Sequence, residues 1–284
     1  MRKLGLAHLS LLHLDPPELV DTAAQAGFDF VGIRVRGATP TEIHPDMSPG
    51  SSASKETLTR LADTGLKVAD IEFLSLDGTA GPETWMPMLE AGAALGASTL
   101  NLAGQDSDTG RLTETLHRLV EDAEQFSMVP ALEPISYNAI STVAQAAAIA
   151  GPAGAHIMLD PLHVVRGGSA ADDIDALDPA MIPVLQFCDG PRVLPEDLSI
   201  NAPLPRGMTA DGGALKVESR ALRLPPGEGD FPLADLVRAV PADAPLSLEV
   251  PNAELVASLG SLGYARRLHN ATTTLLRGLG ERTA

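Results

Sequence analysis

The 284 residues include one cysteine, Cys188. That excludes an intrachain disulfide framework and a cysteine-rich zinc site, and it points to a reducing, cytoplasmic setting. Aromatic residues are also scarce, at 3%, so Leu, Val, Ile and Ala must fill the large core that a 44% hydrophobic content can build. Basic residues are outnumbered: 20 Lys and Arg face 37 Asp and Glu, for a formal net charge of −17. Such a surface repels a phosphate backbone, so no nucleic-acid partner is expected. No apolar run approaches the ~18 residues of a membrane-spanning helix, so no membrane partner is expected either. The opening MRKLGLAHLSLLHLDPP starts basic and apolar, but His8, His13 and Asp15 interrupt it. It reads as a first strand rather than a secretion signal.

What the chain does have is alternation. Strand-like runs at residues 3–8, 30–36, 66–74, 98–104, 128–133, 155–160, 183–189 and 246–250 are each followed by a helix-like stretch, the last from about 253 to 279. Strict β-α order implies parallel strands. Eight units in a chain near the ~250 residues typical of the class predict a (β/α)8 TIM barrel, with residues 1–284 as one domain. One connection is long. Residues 190–230, rich in Pro and Gly, follow strand seven on the face where barrel active sites lie, and are expected to form an active-site lid.

Four late strands share a further feature. VPALEP, HIMLDP, PVLQFCDG and PLSLEVP bring oxygen-bearing side chains to their ends at Glu133, Asp160, Gln186 and Glu249. Pro134 and Pro161 follow two of them directly and push the preceding residue toward extended backbone. Period-two alternation separately indicates where these side chains point. Leu246, Leu248 and Val250 take one face, which leaves Ser247 and Glu249 toward the barrel axis. The same parity turns Glu133, Asp160 and Gln186 inward with Ala131 and Met158, against outward Leu132, Leu159, Leu185 and Phe187. In the first half it turns Arg34, Arg36, Glu72 and Asn101 inward and Phe73 outward.

So many polar groups on one axis are costly unless a cation, water or ligand satisfies them. The all-oxygen set of Glu133, Asp160, Gln186 and Glu249 suits one Mg²⁺ or Mn²⁺ better than Zn²⁺. His163, three residues beyond Asp160, is open to three readings: an acid/base or substrate contact, a ligand, or a loop histidine with no role. Arg34 and Arg36 form either a fork for a carboxylate or phosphate, or internal ion pairs with Glu72 or Asp70. Trp85, Met86, Met88 and Cys188 read as packing residues. Asp172, Asp173, Asp175 and Asp178 read as a solvated helix face, because their spacing lacks the glycine and terminal glutamate of a calcium loop.

Taken together, ALEP, LDPLH, LQFCDG, LPPGEGDFPL and LSLEVP resemble successive signatures of the xylose isomerase-like barrels, a broad group of sugar-phosphate isomerases and epimerases. The resemblance implies one Mn²⁺ or Mg²⁺ held by Glu133, Asp160, Gln186 and Glu249 against adjacent oxygens of a small polyhydroxy ketone, a sugar or cyclitol. Loss of a carbon-bound proton then forms an enediolate. In the epimerases the glutamates corresponding to Glu133 and Glu249 exchange the proton, so an isomerase or epimerase is the leading expectation. Gln186 falls where most members carry histidine, and in this it is similar to 3-dehydroshikimate dehydratases, whose base is a histidine near the position of His163. A metal-dependent dehydratase is therefore the alternative, and a noncatalytic sugar-binding or complex subunit the third. Arg192 lies where related epimerases carry a substrate-binding arginine, and Arg223, just before LPPGEG, is a similar case. With Arg34, Arg36, Glu72 and Asn101 they make up the expected substrate contacts. By analogy with relatives, a homodimer or homotetramer is expected.

Overall fold

The computed structural model describes residues 2–39, 41–281 and 283. Its strands are β1 (Leu4–Leu6), β2 (Phe30–Arg34), β3 (Lys67–Leu76), β4 (Thr99–Gly104), β5 (Val129–Glu133), β6 (His156–Ile157), β7 (Leu185–Phe187) and β8 (Leu246–Leu248). All pair in parallel, in the order β6-β5-β4-β3-β2-β1-β8-β7. Leu159 bridges in parallel to Leu185, and Gln186 N–H donates to the Leu159 carbonyl at 2.8 Å, so the two outer strands meet and the sheet closes. The result is a TIM barrel.

Around it lie α1 (Pro16–Ala26), α2 (Ser52–Thr64), α3 (Pro82–Leu95), α4 (Thr109–Glu124), α5 (Val143–Ala153), α6 (Pro161–Arg166), α7 (Ala171–Asp175), α8 (Ala214–Ala221), α9 (Leu233–Ala239) and α10 (Ala253–Gly278). Local chemistry sets their ends. Glu18 in the first turn of α1 accepts from the Asp15 N–H at 3.0 Å, and Gly27, at φ 93°, turns its own N–H back to Ala23 and Ala24 carbonyls. Two helices depart from the sequence reading. The short α6 follows β6 directly, and α8 lies inside the segment expected to be irregular. No helix among the described residues is long and apolar enough to cross a membrane.

Alternation along the strands divides the core. Leu132, Leu159, Leu185, Phe187, Leu246, Leu248 and Val250 are buried between sheet and helices. Burying each leucine fully contributes roughly 1.5–3 kcal/mol. Phe30, Ala131, Met158 and Val184 form a separate small cluster inside the barrel. Gly5 makes room for it: a Cβ there would lie 2.0 Å from Phe30 Cε2.

Strand β3 breaks the parity twice. Its register against β2 shifts between Val31 and Gly32, and against β4 between Ile71 and Leu74. Each bulge adds a residue and turns it to a new face. The second brings Phe73, expected outward, into the wall of the central cavity beside Glu72. Arg36 is a further correction: β2 ends at Arg34, and the exposed Arg36 side chain donates to the Thr84 carbonyl at 3.1 Å instead of facing the axis.

Candidate metal centre

The LDPLH segment concentrates chemistry because β6 runs straight into α6. Asp160 caps that helix, its Oδ1 accepting from Leu162 N–H at 2.8 Å, and Pro161 occupies the first helical position, where its missing N–H costs nothing. His163 therefore stands in the first turn, close to its own cap. Its Nδ1 meets Ser136 N–H at 3.3 Å and Ser136 Oγ at 3.1 Å. An amide can only donate, so while that bond holds, the neutral ring carries its proton on Nε2, which lies 3.8 Å from Glu133 Oε1. When Nδ1 instead donates to Ser136 Oγ, Nε2 is bare and free to bind a cation or take a proton.

Glu133 ends β5 on the neighbouring strand and is held by Asn101, whose Nδ2 donates to Oε2 at 3.1 Å. Donor atoms of Glu133, Asp160 and His163 all lie within 4.8 Å of one another, and all three residues are buried. Two carboxylates and an imidazole suit a divalent cation, zinc included. The remaining expected donors are engaged differently. Gln186 donates its Nε2 to Glu249 Oε1 at 2.8 Å, and its own Oε1 is buried without a partner. Glu249 Oε2 pairs with Arg223 Nη1 at 3.0 Å, and the same nitrogen contacts Asp160 Oδ2. A guanidinium thus stands where carboxylates from two strands converge, and the partnerless Gln186 carbonyl offers one more oxygen. This donor set fits a divalent ion on the Glu133, Asp160 and His163 side.

Burial and charge set the protonation states. Burial pushes Glu133 up to about 8, helped by the negative Asp160 and opposed by Arg223 and the Asn101 hydrogen bond. Burial raises Glu249 well above the usual carboxylate range against the pull of Arg223, with Glu133 adding repulsion. Asp160 is the exception. Burial acts to raise it, but Arg223, His163 and the Leu162 N–H outweigh that and hold it below its ordinary value. Burial takes His163 down to about 4, so the imidazole is neutral at neutral pH.

Glu133, His163 and Glu249 open onto a cavity of about 100 Å³ whose wall also includes Arg34, Glu42, Glu72, Phe73, Lys216, Arg220 and Arg223. Arg34 resolves into ion pairs, with Glu42 at 3.0 Å and Glu72 at 3.4 Å. Glu42 was not anticipated, since it sits in a loop with no periodic signal. Glu72 and Asn101 are buried on the axis. Arg192 is exposed and outside the cavity wall, and its carbonyl accepts from Arg166 Nη1 at 3.1 Å. Cys188, read as a packing residue, is buried but also donates its Sγ to Asp160 Oδ1 at 3.3 Å. A second cavity of about 290 Å³, walled by Leu12, Pro203, Leu204 and Val256 among others, shares Leu9, Met208 and Arg220 with the first.

What fixes Arg223 is the pairing of LQFCDG with PPGEGDF. The Asp189 carboxylate accepts from the N–H groups of Gly190 at 2.8 Å, Gly227 at 2.9 Å, Gly229 at 3.0 Å and Phe231 at 3.0 Å. A side chain at Gly229 would meet Asp189 Oδ1 at 2.5 Å, so the close approach requires glycine. Leu224, next to Arg223, also bridges to Asp189 through the backbone.

Residues 20–270 match the family described as xylose isomerase-like TIM barrel. No curated protein matches. Among solved structures, a xylose isomerase-like TIM barrel/4-hydroxyphenylpyruvate dioxygenase fusion protein is similar at 18% identity and a TM-score of 0.72. The match covers 99% of this chain but 44% of that one, so this chain spans less than half of the fusion protein. The IolI protein with a bound zinc atom is similar at 17% identity and a TM-score of 0.70, covering 98% of this chain and 99% of that one. The probable 3-DHS dehydratase AsbF of Bacillus anthracis is similar at 18% identity and 0.68, covering 95% and 98%. A D-allulose 3-epimerase from Methylomonas sp., in complex with D-allulose, and an L-ribulose 3-epimerase match at 14% and 16% identity, both at 0.65. With the barrel, the strand-end acids and the sequence match in agreement, the chain belongs to the xylose isomerase-like TIM barrel family.

Proposed function

We propose that the protein is a divalent-metal-dependent isomerase or epimerase of a small polyhydroxy ketone. The observation that carries this reading is the buried convergence of donor atoms of Glu133, Asp160 and His163 within 4.8 Å of one another, with Glu133, His163 and Glu249 lining one cavity. Glu133 and Asp160 would hold the ion, with Glu249, the Gln186 carbonyl and His163 as the further donors of the same set. Mn²⁺ or Mg²⁺ suits the oxygens, and His163 extends the choice to Zn²⁺. When bound, the ion supplies positive charge that stabilises the negative charge developing on a carbonyl oxygen as a neighbouring C–H proton leaves.

The chain's own residues would do the rest. Glu133 and Glu249, at the ends of β5 and β8, both line the cavity, so one as a carboxylate would take the proton and the other, protonated, would return it. Arg223 keeps Asp160 ionised and orients Glu249. Asn101 fixes Glu133. A second reading, a lyase that expels a β-hydroxyl, is favoured by His163: its neutral imidazole would serve as the base.

Calorimetric titration with Mn²⁺ is expected to give one site, weakened more than about a hundredfold by Asp160→Asn. Absence of any divalent-ion binding would sink the proposal. Ketoses and cyclic hydroxy-ketones in D₂O, followed by NMR, then divide the readings: deuterium at carbon with no loss of water marks the epimerase, and loss of water marks the lyase.

A further inference from the structure

We propose that Lys216 and Arg220, one turn apart on α8, recognise an anionic group, a carboxylate or a phosphate, carried by the substrate of the central cavity. This rests on the cavity being the substrate site, as proposed above.

The charges in the cavity wall fall into two sets. Arg34 is bound by Glu42 and Glu72, and Arg223 by Asp160 and Glu249. Among the described residues neither Lys216 nor Arg220 lies within 4.0 Å of a carboxylate oxygen, although the chain carries 37 acids to 20 bases. Of the described cations in the cavity wall, Arg34 and Arg223 are thus answered by carboxylates, and Lys216 and Arg220 are not. Spaced four residues apart, they share a face of α8. Both are half-buried, so an anion between them would be drawn in more strongly than by fully solvated cations.

Their helix is held in place by other residues. Buried Glu218 takes both arms of Arg166, at 2.7 and 2.6 Å, and Arg166 also donates to the Pro191 carbonyl at 2.6 Å and lies 5.1 Å from the centre of the Phe231 ring. Ser219 Oγ bonds Tyr137 Oη at 3.3 Å. Tyr137 sets the distance to the acids. Its ring meets His163 edge-on at 5.5 Å between centroids, while Lys216 Nζ lies 5.5 Å from the same ring. Lys216 and His163 thus neighbour the same aromatic ring, so an anion on Lys216 and Arg220 would share one cavity with the Glu133 and His163 end. Arg220 spends one N–H on the Thr209 carbonyl and has others free to donate.

The test is calorimetry on wild type, Lys216→Gln, Arg220→Gln and the double variant, each titrated with inorganic phosphate, with glycolate and with uncharged dihydroxyacetone. Mn²⁺ is titrated into the same samples. Loss of each charge-assisted bond is expected to weaken anion binding by about tenfold. Dihydroxyacetone should change by less than about twofold, and Arg220→Lys should recover part of the loss. A response confined to phosphate identifies a phosphorylated substrate, and one confined to glycolate a carboxylated one; either supports the inference. Wild type that binds neither anion, or a folded double variant that binds them as before, overturns it. Because anion and metal are read separately, failure of Mn²⁺ binding with charge-dependent anion binding intact would remove the metal reading and leave this one standing.

Discussion

Two buried arginines stand at opposite ends of the barrel and differ in their main partners. Arg2, before β1, donates to the carbonyls of Pro241 at 2.7 Å, Ala244 at 3.1 Å and Val237 at 2.8 Å, with Glu281 at its edge at 3.3 Å. Arg223, at the C-terminal face, meets the carboxylates of Asp160 and Glu249. Neutral carbonyls need donors but no particular charge, so apart from the half-buried Glu281 at its edge Arg2 is held by groups that no metal ion would replace, and it ties the bottom loops together. Carboxylates need a cation, and a guanidinium and a metal ion are alternatives for them. A buried charge is therefore informative about function through the chemistry of its partners, not through burial alone.

The sharpest way to break this comparison is to remove each cation. Arg223→Met leaves Asp160 and Glu249 facing one another, and metal-free protein should lose about 3–5 kcal/mol in a denaturant titration. Saturating Mn²⁺ should return most of that. Arg2→Met orphans buried carbonyls at about 1–3 kcal/mol each, and Mn²⁺ should return none of it. Equal rescue of both variants, or of neither, would end the distinction.

Asp70 offers a finer measurement midway along the axis. Burial first, then Glu72, pushes its pKa from 3.8 up to about 8, and one carboxylate oxygen has no partner. The folded protein keeps this proton while the unfolded chain releases it above its lower value. Stability is therefore fully present below the unfolded pKa and falls as pH rises toward about 8, by up to about 1.4 kcal/mol per pH unit. Asp70→Asn should flatten that slope and leave the variant more stable than wild type at pH 8, as urea midpoints at two pH values would show. Unaltered slopes would mean that the group ionises freely. The smallest effect expected is at the floor: Phe30→Leu should cost about 1–2 kcal/mol through lost packing over Gly5, with Mn²⁺ affinity unchanged.

All eight strands were legible because apolar runs and turn residues alternate locally, and inward Glu133, Asp160 and Glu249 followed from parity. Parity failed on β3, where bulges carry no sequence mark and brought Phe73 to the cavity. Helix α6 was missed because Pro161 ends a strand as readily as it starts a helix. Helix α8 was missed because eight residues inside a Pro- and Gly-rich stretch give too short a period to read. The cost was Lys216 and Arg220, which no motif announced.

Composition and alternation by themselves determined a closed parallel barrel with acids at the ends of its late strands, since backbone geometry repeats every two or 3.6 residues and leaves its period in the chain. Only the tertiary structure decided which charge answers which: that Glu42 takes Arg34, that Arg223 enters between Asp160 and Glu249, and that Lys216 and Arg220 remain unanswered. Coulomb attraction depends on distance through space, and the loops that set those distances follow no period.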